Sequence, residues 1–199
     1  MKSTHAHILD MARRQGFLRP RDVQACGFSR MALAALARQG KLTRLSRGLY
    51  SLPDRPFSEH TAMAELASKH PNVIVCLLSA LQFHGLTTQS PSEVWVAIAN
   101  KARAPKVDYP PLRIVRFSGD ALNEGVQEHL VDGVTVQVTS VAKTVADCFK
   151  YRNKIGLDVA LEALREAWNA KRVTMDELWH DAQVCRVANV IRPYLEMLN

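Results

Sequence analysis

The sequence predicts an α+β protein, with an N-terminal winged helix-turn-helix followed by an α+β domain. The second domain should hold a small mixed or antiparallel sheet and C-terminal helices. Three observations predict this. Helical and turn signals alternate up to Gly40, and a short basic hairpin pattern follows. Apolar strand-like runs between Asn72 and Val138 then give way to helical periodicity from Ser140 onward.

The first helix should run from about Ser3 to Gln15, capped by Ser3 or Thr4, with Ile8, Leu9, Met11 and Ala12 as its apolar face. Gly16 stops it, and Phe17 and Leu18 enter the core from the connection. Pro20 suits the first turn of a short second helix ending at Ala25 or Cys26, and Gly27-Phe28 makes the turn. Ser29 is the expected N-cap of a third helix ending near Gln39, with Gly40 as its terminator. On that helix Leu33, Leu36 and Ala37 share one face. Met31, Ala34, Ala35 and Arg38 point away from it, with Arg30 on the flank. Lys41 to Leu52 then reads as a two-stranded wing with basic residues near its tip.

Pro53-Asp54-Arg55-Pro56 breaks the pattern and marks the expected boundary between domains 1–53 and 57–199. Within the second, a sheet part (57–138) should precede a helical part (139–199). A helix is expected near Ser58–Lys69, a strand at Asn72–Leu77 and a short helix at Ser79–His84 closed by Gly85. Further strands are expected at Glu93–Ala99, Leu112–Phe117, Val126–Leu130 and Val134–Val138, the last two joined by a turn at Asp132-Gly133. Helices should follow at about 140–151, 157–171, 174–184 and 187–198. Thr174 and Glu177 form a capping box, and Pro193 should break or restart the last helix.

Charge is distributed unevenly. Residues 1–52 hold Lys2, Arg13, Arg14, Arg19, Arg21, Arg30, Arg38, Lys41, Arg44 and Arg47 against Asp10 and Asp22, a net +8 out of +7 for the whole chain. The rest of the chain is close to neutral. Such a field suits a polyanion, because neutralising phosphates releases counterions.

Other classes are excluded by what is missing. There is no apolar run of about 18 residues, so no membrane span is expected, and nothing in the first residues resembles a secretory leader. A cytoplasmic location is the expectation. Cys26, Cys76, Cys148 and Cys185 are too dispersed for a CxxC site and read as reduced thiols. No Walker A loop, GxGxxG, GxSxG, HExxH or DxD pair occurs, so no catalytic residue, cofactor or metal is expected. His84 reads as a helix-end cap. Lys143 and Asp147, four apart, read as an exposed ion pair worth about 0.3–0.5 kcal/mol.

Several segments together resemble a known family. Gly40-Lys41-Leu42-Thr43-Arg44-Leu45-Ser46-Arg47-Gly48-Leu49-Tyr50 resembles the wing of AbiEi-type antitoxins. Ser79-Ala80-Leu81-Gln82-Phe83-His84-Gly85-Leu86-Thr87, the strand Glu93–Ile98 and the helix start Val138–Phe149 resemble that family's next landmarks in the same order. The resemblance covers residues 1 to about 155; the last helices match only in general character. It implies an antitoxin of a type IV toxin–antitoxin pair. Its winged helix would bind inverted repeats in double-stranded DNA of its own promoter and repress the operon. Its C-terminal domain would antagonise a nucleotidyltransferase-like toxin without requiring a direct complex.

The candidate DNA-binding residues are Arg19, Arg21, Ser29, Arg30, Arg38, Lys41, Arg44, Ser46 and Arg47. Arginines on the third helix can read guanine, Ser29 can hold a phosphate, and the wing can lie on backbone or minor groove. Lys101, Arg103, Lys106, Arg113 and Arg116 form a second basic cluster, read either as another contact surface or as a solvated loop and strand edge. Competing functions are a DNA-guided nucleic-acid-modifying enzyme and a transcription factor without a toxin partner. A second domain that binds the toxin directly is a further alternative.

Overall fold

The computed structural model describes residues 4–46, 48–54 and 58–198, with the Ser46 side chain left out. The chain divides into two compact units. One comprises Met1–Lys69 with Leu130–Thr135, the other His70–His129 with Val136–Asn199.

In the first unit, α1 spans Thr4–Gln15, α2 Pro20–Ala25 and α3 Arg30–Arg38. Each ends as the sequence suggests. Gly16, Gly27 and Gly40 take φ of 72°, 79° and 69°, a left-handed conformation that is nearly free of strain only for glycine. Ile8 and Ala12 of α1, Val23 of α2, and Leu33 and Leu36 of α3 close on Leu18 and Leu42 to make the core. Strands β1 (Thr43–Ser46) and β2 (Leu49–Ser51) pair antiparallel with Arg44 opposite Tyr50. Leu18 adds a third rung, exchanging backbone hydrogen bonds with Tyr50 at 2.8 and 2.9 Å. These elements make a winged helix-turn-helix.

Helix α4 (Thr61–Lys69) also groups with this unit, whereas the sequence reading put it across the boundary. Its first turn is tethered to Asp132, whose carboxylate accepts from Ser58 Oγ at 3.0 Å and Thr61 Oγ1 at 2.8 Å. Those hydrogen bonds join residues more than 70 positions apart, so no local pattern announces them. Arg55 and Pro56 of the expected boundary lie outside the described residues.

The second unit is built on a five-stranded mixed sheet. Its strands are β3 (Ile74–Val75), β4 (Val94–Ala99), β5 (Leu112–Phe117), β6 (Val126–Val131) and β7 (Val134–Thr139), in the order β5-β4-β3-β7-β6. β3 runs antiparallel to β4 and parallel to β7, while β4 and β5 are parallel. β4 is buried from Val94 to Ile98, which explains its unbroken apolar sequence. β3 is shorter than the expected Asn72–Leu77. Cys76 becomes the N-cap of α5 (Leu77–Phe83), and Leu77 takes a φ of 51°, turning the chain out of the sheet.

The remaining helices are α6 (Asp120–Asn123), α7 (Val141–Lys150), α8 (Arg152–Ile155), α9 (Leu157–Asn169), α10 (Met175–Val184) and α11 (Ala188–Glu196). α7 packs against α5, α9 and α10, and its Val145, Ala146 and Phe149 belong to the same buried cluster as Leu81, Phe117, Leu164 and Leu178. Thr174 caps α10 through the expected box with Glu177. Pro193 does not break α11 but sits inside it. Its ring faces outward, the carbonyl it deprives belongs to the exposed Asn189, and buried Ile191 and Leu195 hold the helix on either side.

Candidate nucleic-acid interface

The candidate recognition surface starts from the cap of α3. Ser29 accepts from the Met31 backbone N–H at 3.2 Å, fixing the first turn of the helix. Leu33 and Leu36 anchor its inner face. Arg30, Met31, Ala34 and Arg38 are exposed on the outer face, and no acidic residue occurs anywhere on the helix. Lys41 and Arg44 are exposed at the entrance of the wing and on β1. A helix with a cationic outer face next to a cationic hairpin can present guanidinium and ammonium groups to phosphates and base edges. Arg47, at the wing turn, lies outside the described residues, as does the Ser46 side chain.

Arg19 is placed differently from Arg30 and Arg38. Its Nε donates to Asp22 Oδ2 at 2.8 Å, its Nη2 to Asp22 Oδ1 at 3.1 Å, and its Nη1 to the Ser68 carbonyl of α4. Most of the guanidinium fork is therefore used inside the unit, positioning the start of α2. Arg21 is exposed, with its Nε 3.8 Å from Asp22 Oδ1.

Residues 8–53 match the family model described as "Transcriptional regulator, AbiEi antitoxin". That makes the N-terminal segment similar to AbiEi-type antitoxin regulators. The match runs from within α1 through α2, α3 and the wing, the elements that carry the cationic surface. No curated protein matches the chain. Among solved structures, the fold is similar to the crystal structure of the RV2827C protein from Mycobacterium tuberculosis. The TM-score is 0.53 at 12% identity, over 94% of this chain and 78% of that one. At that identity the likeness is one of fold alone.

Beyond the matched segment, the second basic cluster sits on the loop after β4 and on β5. Lys101, Arg103 and Lys106 are exposed. Arg116 is occupied: its Nη1 donates to the carbonyls of Ala99, Asn100 and Ala102 at 3.2, 2.6 and 2.9 Å, pinning the crossover between the two parallel strands. Arg113 lies over the Trp95 ring at 5.5 Å, with its Nε 3.6 Å from a Glu93 carboxylate oxygen.

The Lys143–Asp147 pair overturns its expectation. Both side chains are fully buried; Lys143 Nζ donates to both carboxylate oxygens at 2.8 and 2.7 Å, and Cys185 donates to Oδ1 at 3.2 Å. Lys143 Nζ also stands 4.4 Å from the centre of the Phe117 ring. Burial pulls the lysine down, but the carboxylate beside it outweighs burial and holds the ammonium above the ordinary lysine range. The cue in the sequence is the run Val141–Phe149, which is apolar all round the helix apart from Lys143, Asp147 and the small Thr144.

His84 behaves as a structural residue at the end of α5. Its Nε2–H donates to the Thr139 carbonyl of β7 at 2.7 Å, and its own carbonyl accepts from Arg172. Burial lowers its pKa against the raising effect of the Thr139 carbonyl, with nearby Arg172 and His129 lowering it further. Cys76, Cys148 and Cys185 are buried thiols, whereas Cys26 is exposed. Among the described residues no group of three His, Cys, Asp or Glu could hold a metal ion, and no helix is long and apolar enough to cross a membrane.

Proposed function

We propose that the protein represses its own operon by binding inverted repeats in the promoter through the winged helix. The observation that supports this best is the acid-free outer face of α3, with Arg30 and Arg38 exposed, inside the segment that matches the AbiEi antitoxin regulators. In this reading Arg30 and Arg38 reach base edges in the major groove. The Ser29 cap and the N-terminus of α3 hold a phosphate, and Lys41, Arg44, Ser46 and Arg47 of the wing lie on backbone or minor groove. Arg21 adds a backbone contact, and Arg19 positions α2 for it. The second unit antagonises a nucleotidyltransferase-like toxin, in keeping with the antitoxin character of the family.

Footprinting on the DNA upstream of the protein's own gene tests the first part. An inverted repeat should be protected; uniform protection or none would overturn autorepression. Arg30→Ala with Arg38→Ala should lower affinity for that repeat more than for random DNA. Lys41→Ala with Arg44→Ala should weaken both alike. Rescue of growth when this protein is co-expressed with a neighbouring nucleotidyltransferase-like toxin tests the second part, and unrelieved toxicity would count against it.

A further inference from the structure

Helix α3 carries more than charge on its outer face. Met31 has 71% of its surface exposed, beside the exposed Arg30 and Ala34. With 3.6 residues per turn, Arg30, Ala34, Arg38 and Met31 fall within an arc of about 100°. Two guanidinium groups and two apolar groups therefore share one narrow face. A helix that only neutralised phosphates would gain nothing from a solvent-exposed thioether there.

Resting on the DNA-binding reading above, we propose that Met31 and Ala34 recognise the 5-methyl groups of thymines lying between the bases taken by Arg30 and Arg38. Thymine is the one base that offers a methyl group in the major groove, and arginine pairs best with the O6 and N7 of guanine. The flanking guanidinium groups supply the charge complementarity that draws this face to DNA. The apolar pair then excludes water from a methyl it covers. From Arg30 to Arg38 the helix advances about 12 Å, close to three or four base-pair steps of about 3.4 Å. Each half-site should therefore place two guanines three or four base pairs apart, with thymine between them.

The test uses the full-length protein and the DNA upstream of its own gene, amplified once with dTTP and once with dUTP. Uracil keeps the pairing and the O4 acceptor and lacks only the methyl. The wild type should bind the uracil fragment more weakly, by about fourfold for each methyl covered. Met31→Gln, a change at an exposed position that leaves the core untouched, should lose affinity on the thymine fragment. On the uracil fragment it should bind like the wild type. Equal wild-type affinity for both fragments would overturn thymine reading while leaving DNA binding intact. A Met31→Gln variant as tight as wild type on thymine DNA would overturn it as well. So would an equal loss by that variant on both fragments. Binding to neither fragment above random DNA would remove operator recognition and this inference with it.

Discussion

Lys143 and Asp147 stand at i and i+4 on α7 with none of their side-chain surface exposed. A surface pair of this spacing adds little, but a buried one is tightly constrained, because removing either partner strands the other charge in the core. Lys143→Met should therefore destabilise the protein by about 3–5 kcal/mol in urea unfolding. The double change Lys143→Met with Asp147→Leu should recover most of that loss. A single variant within about 0.5 kcal/mol of wild type would contradict the burial. His84 gives a pH signature of the opposite kind. Its folded-state pKa lies below the ordinary histidine value, so the unfolded chain takes up the proton first as pH falls. Its contribution is intact above about pH 6.5 and is lost as the pH drops from there toward the folded pKa. Unfolding midpoints across that range should fall with acid for wild type and fall less for His84→Gln.

At the scale of elements, close approach decides what the sheet and helices tolerate. Gly125, at the entrance to β6, has a φ of 64°, and a Cβ there would meet Lys143 Cβ at 2.7 Å, Lys143 Cγ at 2.9 Å and Asp181 Oδ1 at 3.1 Å. Two of those atoms belong to the rigid stem of a side chain whose end is fixed by Asp147, so the neighbour cannot swing away. Gly125→Ala should cost about 1–3 kcal/mol from overpacking alone, read as a lowered unfolding midpoint with the denaturant slope unchanged. The wing obeys a different constraint. Leu18 pairs with Tyr50, so the connection between α1 and α2 holds β2 in register. A rigid hairpin can place Arg44 reproducibly, where a loose one would average its position.

For the whole molecule, the charge split sets how the proposed DNA binding should respond to salt. Residues 1–52 carry all of the excess positive charge. Each phosphate neutralised steepens the dependence of log affinity on log salt by about 0.9. A protomer that engages four phosphates should lose affinity on the order of a hundredfold between 50 and 200 mM salt. Replacing Lys41 and Arg44 with alanine should flatten that slope by about two contacts, measured by gel-shift titration at several salt concentrations. An unchanged slope would remove the wing from the interface.

Most of the winged helix could be read from local signals. Ser29, Pro20, Gly16, Gly27 and Gly40 act on their own turns, and the apolar spacing of Ile8, Ala12, Leu33 and Leu36 selects the inward faces. The same holds for the hairpin at Asp132-Gly133 and the capping box at Thr174. Local chemistry also set the concentration of cations on which the proposed interface rests. Tertiary structure alone decided which charges remain available. Arg19 and Arg116 bind carbonyls or a carboxylate of the protein itself, some of them from distant segments, and α4 groups with the first unit through hydrogen bonds to Asp132. It also decided that Lys143 and Asp147 are buried, since solvent is excluded from α7 by strands and helices remote in sequence. Periodicity records how a segment repeats along itself. It does not record which other segment will cover it.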